Sequence, residues 1–218
     1  MTNIGSTPSV DEQLTLAWTH VRGLMPTSMC DWPGMISTVV FLGGCNFKCP
    51  TCHNADMAWR WKQLPSFDRS LVLAGLRQRS RWIDGITVTG GEPTCTPSLE
   101  ALLADIGTVG LPIKLDSNGA NPKTLRSLLE KGLVHTIAVD IKGPWRLYPE
   151  LTGGSMAPEK AMESLTSVFA IARDFPGKVY FRCTKVPALT ADDLIEVSRQ
   201  VPTGETLIFQ DFIPPKQG

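Results

Sequence analysis

The chain predicts an α/β fold, a six-unit open or partial barrel around a mostly parallel sheet, and two observations carry that expectation. Short β-branched runs alternate with helical patterns along nearly all of its 218 residues, an order that implies parallel pairing with right-handed crossovers. Six such units fit the length, whereas a closed eight-unit barrel, at ~250 residues, would be tight.

The strand candidates are Ile36–Leu42, Gly85–Thr89, Ile113–Asp116, Thr136–Asp140, Lys178–Cys183 and Thr206–Gln210. Each reads as an apolar run between turn signals, as expected of strands buried on both faces. Asp68–Trp82 and Pro158–Arg173 read as amphipathic helices. Asn121-Pro122 resembles a cap followed by proline at the first helical position, with Gly132 closing that helix. Thr96-Pro97 starts another helix, and Thr190 with Asp193 forms a capping-box pattern. The first dozen residues, rich in Ser, Thr and Pro, read as loosely held. The expected organisation is a 1–23 extension and one domain over 24–218.

Composition narrows the function classes. About 42% apolar and 19% charged residues is ordinary globular usage. Lys plus Arg equals Asp plus Glu at 21 each, so no net field draws the chain to nucleic acid or an anionic membrane. No basic–apolar leader and no run long enough to cross a bilayer are visible, so the expectation is a soluble cytoplasmic protein with reduced thiols.

In an open α/β sheet, ligands bind at the carboxyl ends of the strands. There the chain places Cys45, Cys49 and Cys52, spaced C-x3-C-x2-C, then Gly90-Gly91-Glu92-Pro93, Asp116-Ser117-Asn118-Gly119, Asp140-Ile141-Lys142, and Arg182. The cysteine spacing leaves four chemistries open. Cys49-Pro-Thr-Cys52-His53 satisfies a haem-attachment pattern, but Cys45 would be idle. The same pair resembles a thioredoxin-like redox motif. Three thiolates with His53 count to four zinc ligands, although adjacent residues rarely share one tetrahedral ion. An iron–sulfur cluster with three cysteine ligands uses all three thiols and leaves one iron free for a small molecule.

The C-x3-C-x2-C loop after one strand with Gly90-Gly91-Glu92-Pro93 after the next resembles the radical S-adenosylmethionine (SAM) superfamily. Asp31-Trp32-Pro33-Gly34, Cys52-His53-Asn54, Asp116-Ser117-Asn118-Gly119 and Asp140-Ile141-Lys142 are similar to its glycyl-radical-enzyme activating enzymes, in particular the anaerobic ribonucleotide reductase activating branch. The similarity runs from about Leu24 to Pro214, and it implies a partial (β/α)6 TIM-like barrel.

The resemblance also implies roles. Cys45, Cys49 and Cys52 would hold a [4Fe–4S] cluster whose fourth iron takes the amino and carboxylate groups of SAM. Thr51, Asn54, Gly90, Gly91, Glu92, Pro93, Asp116, Ser117, Asn118, Asp140 and Lys142 would surround SAM. Asp116, Ser117, the backbone of Ala138 and Asp140 match positions that hold a monovalent cation, Na+ or K+. Lys142 would face the SAM carboxylate or ribose, and Arg182 matches a basic residue near the substrate; these two are the candidate catalytic residues. The implied partners are a glycyl radical enzyme as protein substrate and a flavodoxin or ferredoxin as electron donor.

Two regions depart from the pattern: Thr51 stands where an aromatic or apolar residue is usual, and Gln210 and Phe212 occupy the region of the last strand where some activases carry histidine. His53 reads as structural, Trp59 and Trp61 as core or cover, and the isolated Cys30, Cys95 and Cys183 as small buried hydrophobes, which leaves one cluster. The alternative enzyme reading is a small-molecule radical SAM enzyme such as 7-carboxy-7-deazaguanine synthase, in which Asp-Thr often follows the third cysteine where this chain has His53-Asn54. A non-catalytic iron–sulfur or haem electron carrier is the alternative from another class.

Overall fold

A computed structural model describes residues 9–214. Seven strands form one sheet in chain order: β1 (Val21–Trp32), β2 (Met35–Leu42), β3 (Gly85–Gly90), β4 (Ile113–Ser117), β5 (Thr136–Asp140), β6 (Val179–Lys185) and β7 (Leu207–Asp211). β1 runs antiparallel to β2, and the remaining neighbours are parallel. The sheet curls into a half-barrel. Helices α1 (Val10–Trp18), α2 (Ala55–Trp59), α3 (Arg69–Arg79), α4 (Leu99–Gly107), α5 (Pro122–Glu130), α6 (Tyr148–Leu151), α7 (Pro158–Asp174) and α8 (Ala191–Gln200) complete it.

One face of the sheet makes the core. Val40, Leu42, Ile86, Val88, Leu115, Ile137, Val139 and Phe181 are fully buried in one cluster with Leu102, Leu103 and Ile106 of α4, Leu128 of α5 and Leu165 of α7. Strand residues alternate between faces, so the intervening positions point into the concavity. They include Ser37, Thr87, Lys114, Asp116, Asp140 and Arg182 beside the apolar Val39 and Ala138, and the Thr87 hydroxyl donates to Ser37 at 3.1 Å across that face. The expected apolar run holds in β2, where Val39, Val40, Phe41 and Leu42 are contiguous, whereas β4 and β6 alternate. Helices cover only the outer face, and the inner face of a half-barrel carries polar side chains.

Among the elements that the sequence pattern concealed are β1 and α1, beside the short helices α2 and α6. β1 contains Gly23 and Pro26, has three register irregularities against β2, and lies at the sheet edge with most residues partly exposed. It therefore lacks the apolar signature of the inner strands. Pro26 still contributes, because its carbonyl accepts the Thr38 hydroxyl at 2.7 Å. The turn into β2 uses Gly34 at φ +77°, and Trp32 packs beside Gly85, where a Cβ would lie 2.6 Å from the indole.

α1 begins inside the stretch read as loose. Ser9 and Glu12 cap it reciprocally, a box visible in Ser-Val-Asp-Glu, while residues 1–8 lie outside the described residues. Ala17, Trp18 and Val21 lie in the main core, and the expected boundary between residues 23 and 24 falls inside β1.

The anticipated helix ends mostly hold. Asp68 caps α3, and Thr190 with Asp193 forms the capping box of α8. Two details differ. α4 starts at Leu99 behind a left-handed Ser98, because Thr96 is extended and closes the preceding short turn. Asn121 makes no side-chain cap on α5; its amide donates instead to the Thr94 hydroxyl at 2.8 Å.

Candidate active site

Cys45, Cys49 and Cys52 lie on the loop that leaves β2, and neighbouring loops fix its backbone. The Gly91 N–H donates to the Leu42 carbonyl and the Glu92 N–H to the Gly44 carbonyl, both at 2.8 Å. This zipper leaves no room for side chains: a Cβ on Gly90, itself at φ +125°, would lie 2.2 Å from the Leu42 oxygen. The Asn54 amide donates to the Gly90 carbonyl at 3.2 Å, tying the far end of the cysteine loop to the same strand end. In the middle of the loop, the Lys48 N–H donates to the Thr152 carbonyl at 3.1 Å, and Gly153 (φ +60°) sits against the Lys48 carbonyl.

Aromatic residues brace the loop from outside. The Trp61 indole lies against Gly43 and stacks on His20 at 4.3 Å, with the Arg22 guanidinium 5.2 Å from its ring. The Trp59 indole N–H donates to the Phe47 carbonyl at 2.9 Å. Both tryptophans act as cover, as expected, and His20 belongs to this brace although nothing in the sequence marked it. His53 is no isolated group either: its Nε2 meets the Ile213 carbonyl and its ring tilts against Phe212 at 5.4 Å.

The loop opens onto a cavity of about 190 Å³ at the strand ends. One water occupies ~10–15 Å³ on this measure, so the space suits a molecule and not a lone ion. Cys45, Cys49, Thr51, Cys52, Asn54, Gly90, Gly91, Glu92, Asp116, Ser117, Asn118, Asp140 and Lys142 all line it. Pro93, Ala138 and Arg182 do not. Pro93 is buried at the start of a short 3-10 turn, Ala138 is fully buried within β5, and Arg182 sits behind the two aspartates. Arg182 is thus a positioning residue and not a group facing the cavity. The apolar wall of Phe47, Ile141, Leu151 and Val186, together with Thr184, went unread. Those residues carry no distinctive chemistry: the cysteine loop brings Phe47 there, the crossover after β5 brings Ile141 and Leu151, and the end of β6 brings Thr184 and Val186. Gln210 is exposed and does not line the cavity.

Glu92 is buried and its carboxylate is fully engaged. It accepts the Thr94 N–H at 3.1 Å, the Thr94 hydroxyl at 2.6 Å, the Ser117 hydroxyl at 2.9 Å and the Asn118 N–H at 2.7 Å. Burial raises its pKa against the pull of these donors. In this geometry Glu92 clasps the end of β4 to the loop after β3.

Asp140 accepts from Arg182 Nε at 2.9 Å and from Lys142 at 3.3 Å. Burial alone would raise its pKa, yet Arg182 and Lys142 together bring it down to about 2. Lys142 moves the other way: burial lowers its pKa, but Asp140 and Cys49 raise it well above the ordinary range. The backbone N–H of Lys142 donates to the buried Tyr148 hydroxyl at 3.2 Å, which fixes the lysine's root. Lys114, unread in the sequence, pairs with Asp116 inside the concavity; its signal was a lysine two residues before an aspartate within an apolar strand.

The thiols fit an iron–sulfur cluster. Burial pushes Cys45 up to about 12 and raises Cys49, with Lys142 partly offsetting the latter. Such thiols ionise fully only against strong cationic charge, which cluster irons supply. Among the described residues no three His, Cys, Asp or Glu side chains converge on a single ion. The three cysteines instead border one shared space, as ligands of a multi-iron cube must. Of the remaining cysteines only Cys183 is buried; Cys30 and Cys95 are exposed, a correction to their reading as core residues. Cys30 lies on the edge strand β1 and Cys95 ends the short 3-10 turn after β3, both outside the helix-covered core.

Residues 39–201 match the radical SAM superfamily. The fold and this cavity define a radical SAM enzyme, with a [4Fe–4S] cluster and SAM as its cofactors. A provisionally named glycyl-radical enzyme activating enzyme of Methanocaldococcus jannaschii is 27% identical over 198 residues, 89% of this chain and 80% of that protein. The pyruvate formate-lyase-activating enzyme of Streptococcus mutans is 31% identical over 204 residues, 84% of this chain and 72% of that one. The 7-carboxy-7-deazaguanine synthase of Haemophilus influenzae is 33% identical over only 86 residues, 39% of this chain and 37% of that one. The structure of Streptococcus suis SuiB bound to S-adenosylmethionine shares the fold, with a TM-score of 0.57 at 18% identity over 78% of this chain and 39% of that one. The chain belongs to the radical SAM superfamily, among the glycyl-radical-enzyme activating enzymes.

Proposed function

We propose that the chain activates a partner glycyl radical enzyme of the anaerobic ribonucleotide reductase type, by taking a hydrogen atom from the Cα of one glycine. The observation that carries this reading is the zipper of Gly91 and Glu92 onto Leu42 and Gly44, which sets the three-cysteine loop against the cavity containing Asp140 and Lys142. A cluster held by Cys45, Cys49 and Cys52 would supply, with an electron from the donor, the reductive cleavage chemistry of SAM that the hydrogen-atom abstraction needs.

The chain's own residues bind and orient. Cys45, Cys49 and Cys52 would hold three irons, and the backbone of Gly90–Glu92 would meet the amino group of SAM. Lys142, held by Asp140 and rooted on Tyr148, would present its ammonium to the carboxylate or ribose. Phe47, Ile141, Leu151 and Val186 keep water from the apolar side. Thr51, Asn118 and Ser117 complete the rim, and Thr51 offers a backbone and hydroxyl contact where an aromatic residue is usual. A flavodoxin or ferredoxin is the proposed electron donor, in a cytoplasmic setting. No helix among the described residues is long and apolar enough to cross a membrane, and the balanced charge supports no nucleic-acid role.

The similarity to 7-carboxy-7-deazaguanine synthase supports a second reading, but it covers 39% of the chain against 84% for the pyruvate formate-lyase-activating enzyme. Asn54, which follows the third cysteine by two residues, also makes the structural tie to Gly90. The deciding experiment is anaerobic reconstitution with iron and sulfide, followed by dithionite and SAM. The expected result is 5′-deoxyadenosine from the wild type and none from Cys49→Ala. With the partner enzyme added, a glycyl radical should appear by electron paramagnetic resonance. A protein holding its cluster but yielding no 5′-deoxyadenosine would sink the reading.

A further inference from the structure

Two aspartates and three basic side chains meet at the ends of β4, β5 and β6. Lys114 Nζ pairs with Oδ1 of Asp116, and Arg182 approaches Oδ2 at 3.4 Å. On Asp140, Arg182 Nε holds Oδ1 at 2.9 Å and Lys142 holds Oδ2 at 3.3 Å. Every carboxylate oxygen of the pair thus has a nitrogen cation beside it. The Ser117 hydroxyl donates to Glu92 at 2.9 Å and accepts the Gly119 N–H at 3.1 Å.

The residues expected to hold Na+ or K+ therefore do not fit that ion. It would meet carboxylate oxygens already neutralised, a committed hydroxyl and three like charges. Lys114 is the decisive group: its side chain is fully buried, with the Tyr180 ring 5.9 Å from Nζ.

We propose that Lys114, with Arg182, is the resident cation of this site, so that SAM is positioned without any added monovalent metal. Three cations against two carboxylates leave one positive charge over, the complement of a substrate carboxylate beside Lys142. Lys114 does not line the cavity; it acts through Asp116 and is a positioning residue. The inference rests on SAM being the occupant proposed above.

The test compares wild type with Lys114→Met and Lys114→Arg in choline buffer, with and without K+ or Na+. SAM affinity and 5′-deoxyadenosine formation in the reconstituted wild type should not change when either ion is added. Lys114→Met should bind SAM at least about tenfold more weakly in choline and recover in K+ or Na+, while Lys114→Arg stays indifferent to both. Thermal unfolding of the cluster-free chains gives a readout independent of turnover: K+ should raise the midpoint of Lys114→Met and leave wild type unmoved. A wild type stimulated severalfold by K+, or stabilised by it without cluster, overturns the proposal. So does a Lys114→Met chain that folds but ignores the ions. If Lys114→Met does not fold, the wild-type and Lys114→Arg arms still decide. Failure to form 5′-deoxyadenosine in every buffer would count against the functional reading alone, and the unfolding arm would still settle the cation.

Discussion

Gly91 and Gly44 approach so closely that a Cβ on Gly91 would lie 2.1 Å from the carbonyl oxygen of Gly44. That carbonyl is held by the Glu92 N–H at 2.8 Å, so the clash is backbone against backbone and has no flexible side chain to absorb it. The two glycine-bearing loops are one structural unit that sets the cysteines on their cavity.

Gly91→Ala should prise that unit apart. Overpacking against fixed backbone costs about 1–3 kcal/mol or more, concentrated at the cluster loop. The expected outcome is a folded chain that retains well under half of the wild-type iron after reconstitution, measured as iron per chain. Wild-type iron content in this variant would contradict the zipper as the device that places the cysteines.

Asp140 carries a pH signature. Its folded pKa of about 2 lies below the ~3.9 of an unfolded aspartate, so its ionised form is favoured by folding. The resulting stability is fully present above pH ~4 and is lost as pH falls towards 2. Asp140→Asn should be less stable than wild type by about 1–3 kcal/mol near neutrality, a figure reduced because the side chain is 32% exposed. Urea midpoints should converge as the pH is lowered through that window. A gap that stays constant down to pH ~2 would show that the loss is packing and not charge.

Tyr148→Phe isolates how Lys142 is rooted. Removing the hydroxyl leaves the Lys142 backbone N–H without its acceptor in a buried place, at a cost of about 1–3 kcal/mol. SAM affinity should fall severalfold while iron content stays at the wild-type level, as read by titration calorimetry beside an iron assay. Unchanged SAM affinity would dissociate Tyr148 from the site.

Trp61→Ala removes the brace behind Gly43 and Gly44, together with the stacking on His20. Truncating a large aromatic costs about 3–5 kcal/mol in a full core; Trp61 is only partly buried, so about 2 kcal/mol is expected. The cluster should also be lost faster in air, followed by its visible absorbance. An unaltered rate of bleaching would mean that the loop holds its shape without the indole.

Thr190→Ala serves as the contrasting case. It removes the α8 capping box, far along the chain from the cysteines, and should cost about 1 kcal/mol of thermal stability. Iron content and SAM cleavage should match wild type. A coupled loss of cluster would show that α8 supports the cavity more directly than its packing indicates.

Much of the site was legible because its chemistry is local. Cys45, Cys49 and Cys52 lie within one loop, the Gly90-Gly91-Glu92 turn is contiguous, and Asp140 and Lys142 are two residues apart on one strand end. Residues whose role depends on a partner distant in sequence were not. Arg182 gains its positioning role from Asp116 and Asp140, and His20 its role from Trp61. β1 escaped notice for a related reason, since an edge strand with Gly23 and Pro26 satisfies its hydrogen bonds on one side only and needs no strong apolar pattern.

The sequence by itself determined the parallel half-barrel, the cysteine loop and the chemistry those thiols invite, because strand–helix alternation and ligand spacing are written in short segments. Only the tertiary structure decided which charges neutralise which. The family resemblance implied Asp116 and Asp140 as cation ligands, and they are partners of Lys114, Arg182 and Lys142 once the curl of the sheet brings β4, β5 and β6 edge to edge. Electrostatic energy falls with distance in space and not along the chain, so that choice is invisible until the strands are laid side by side.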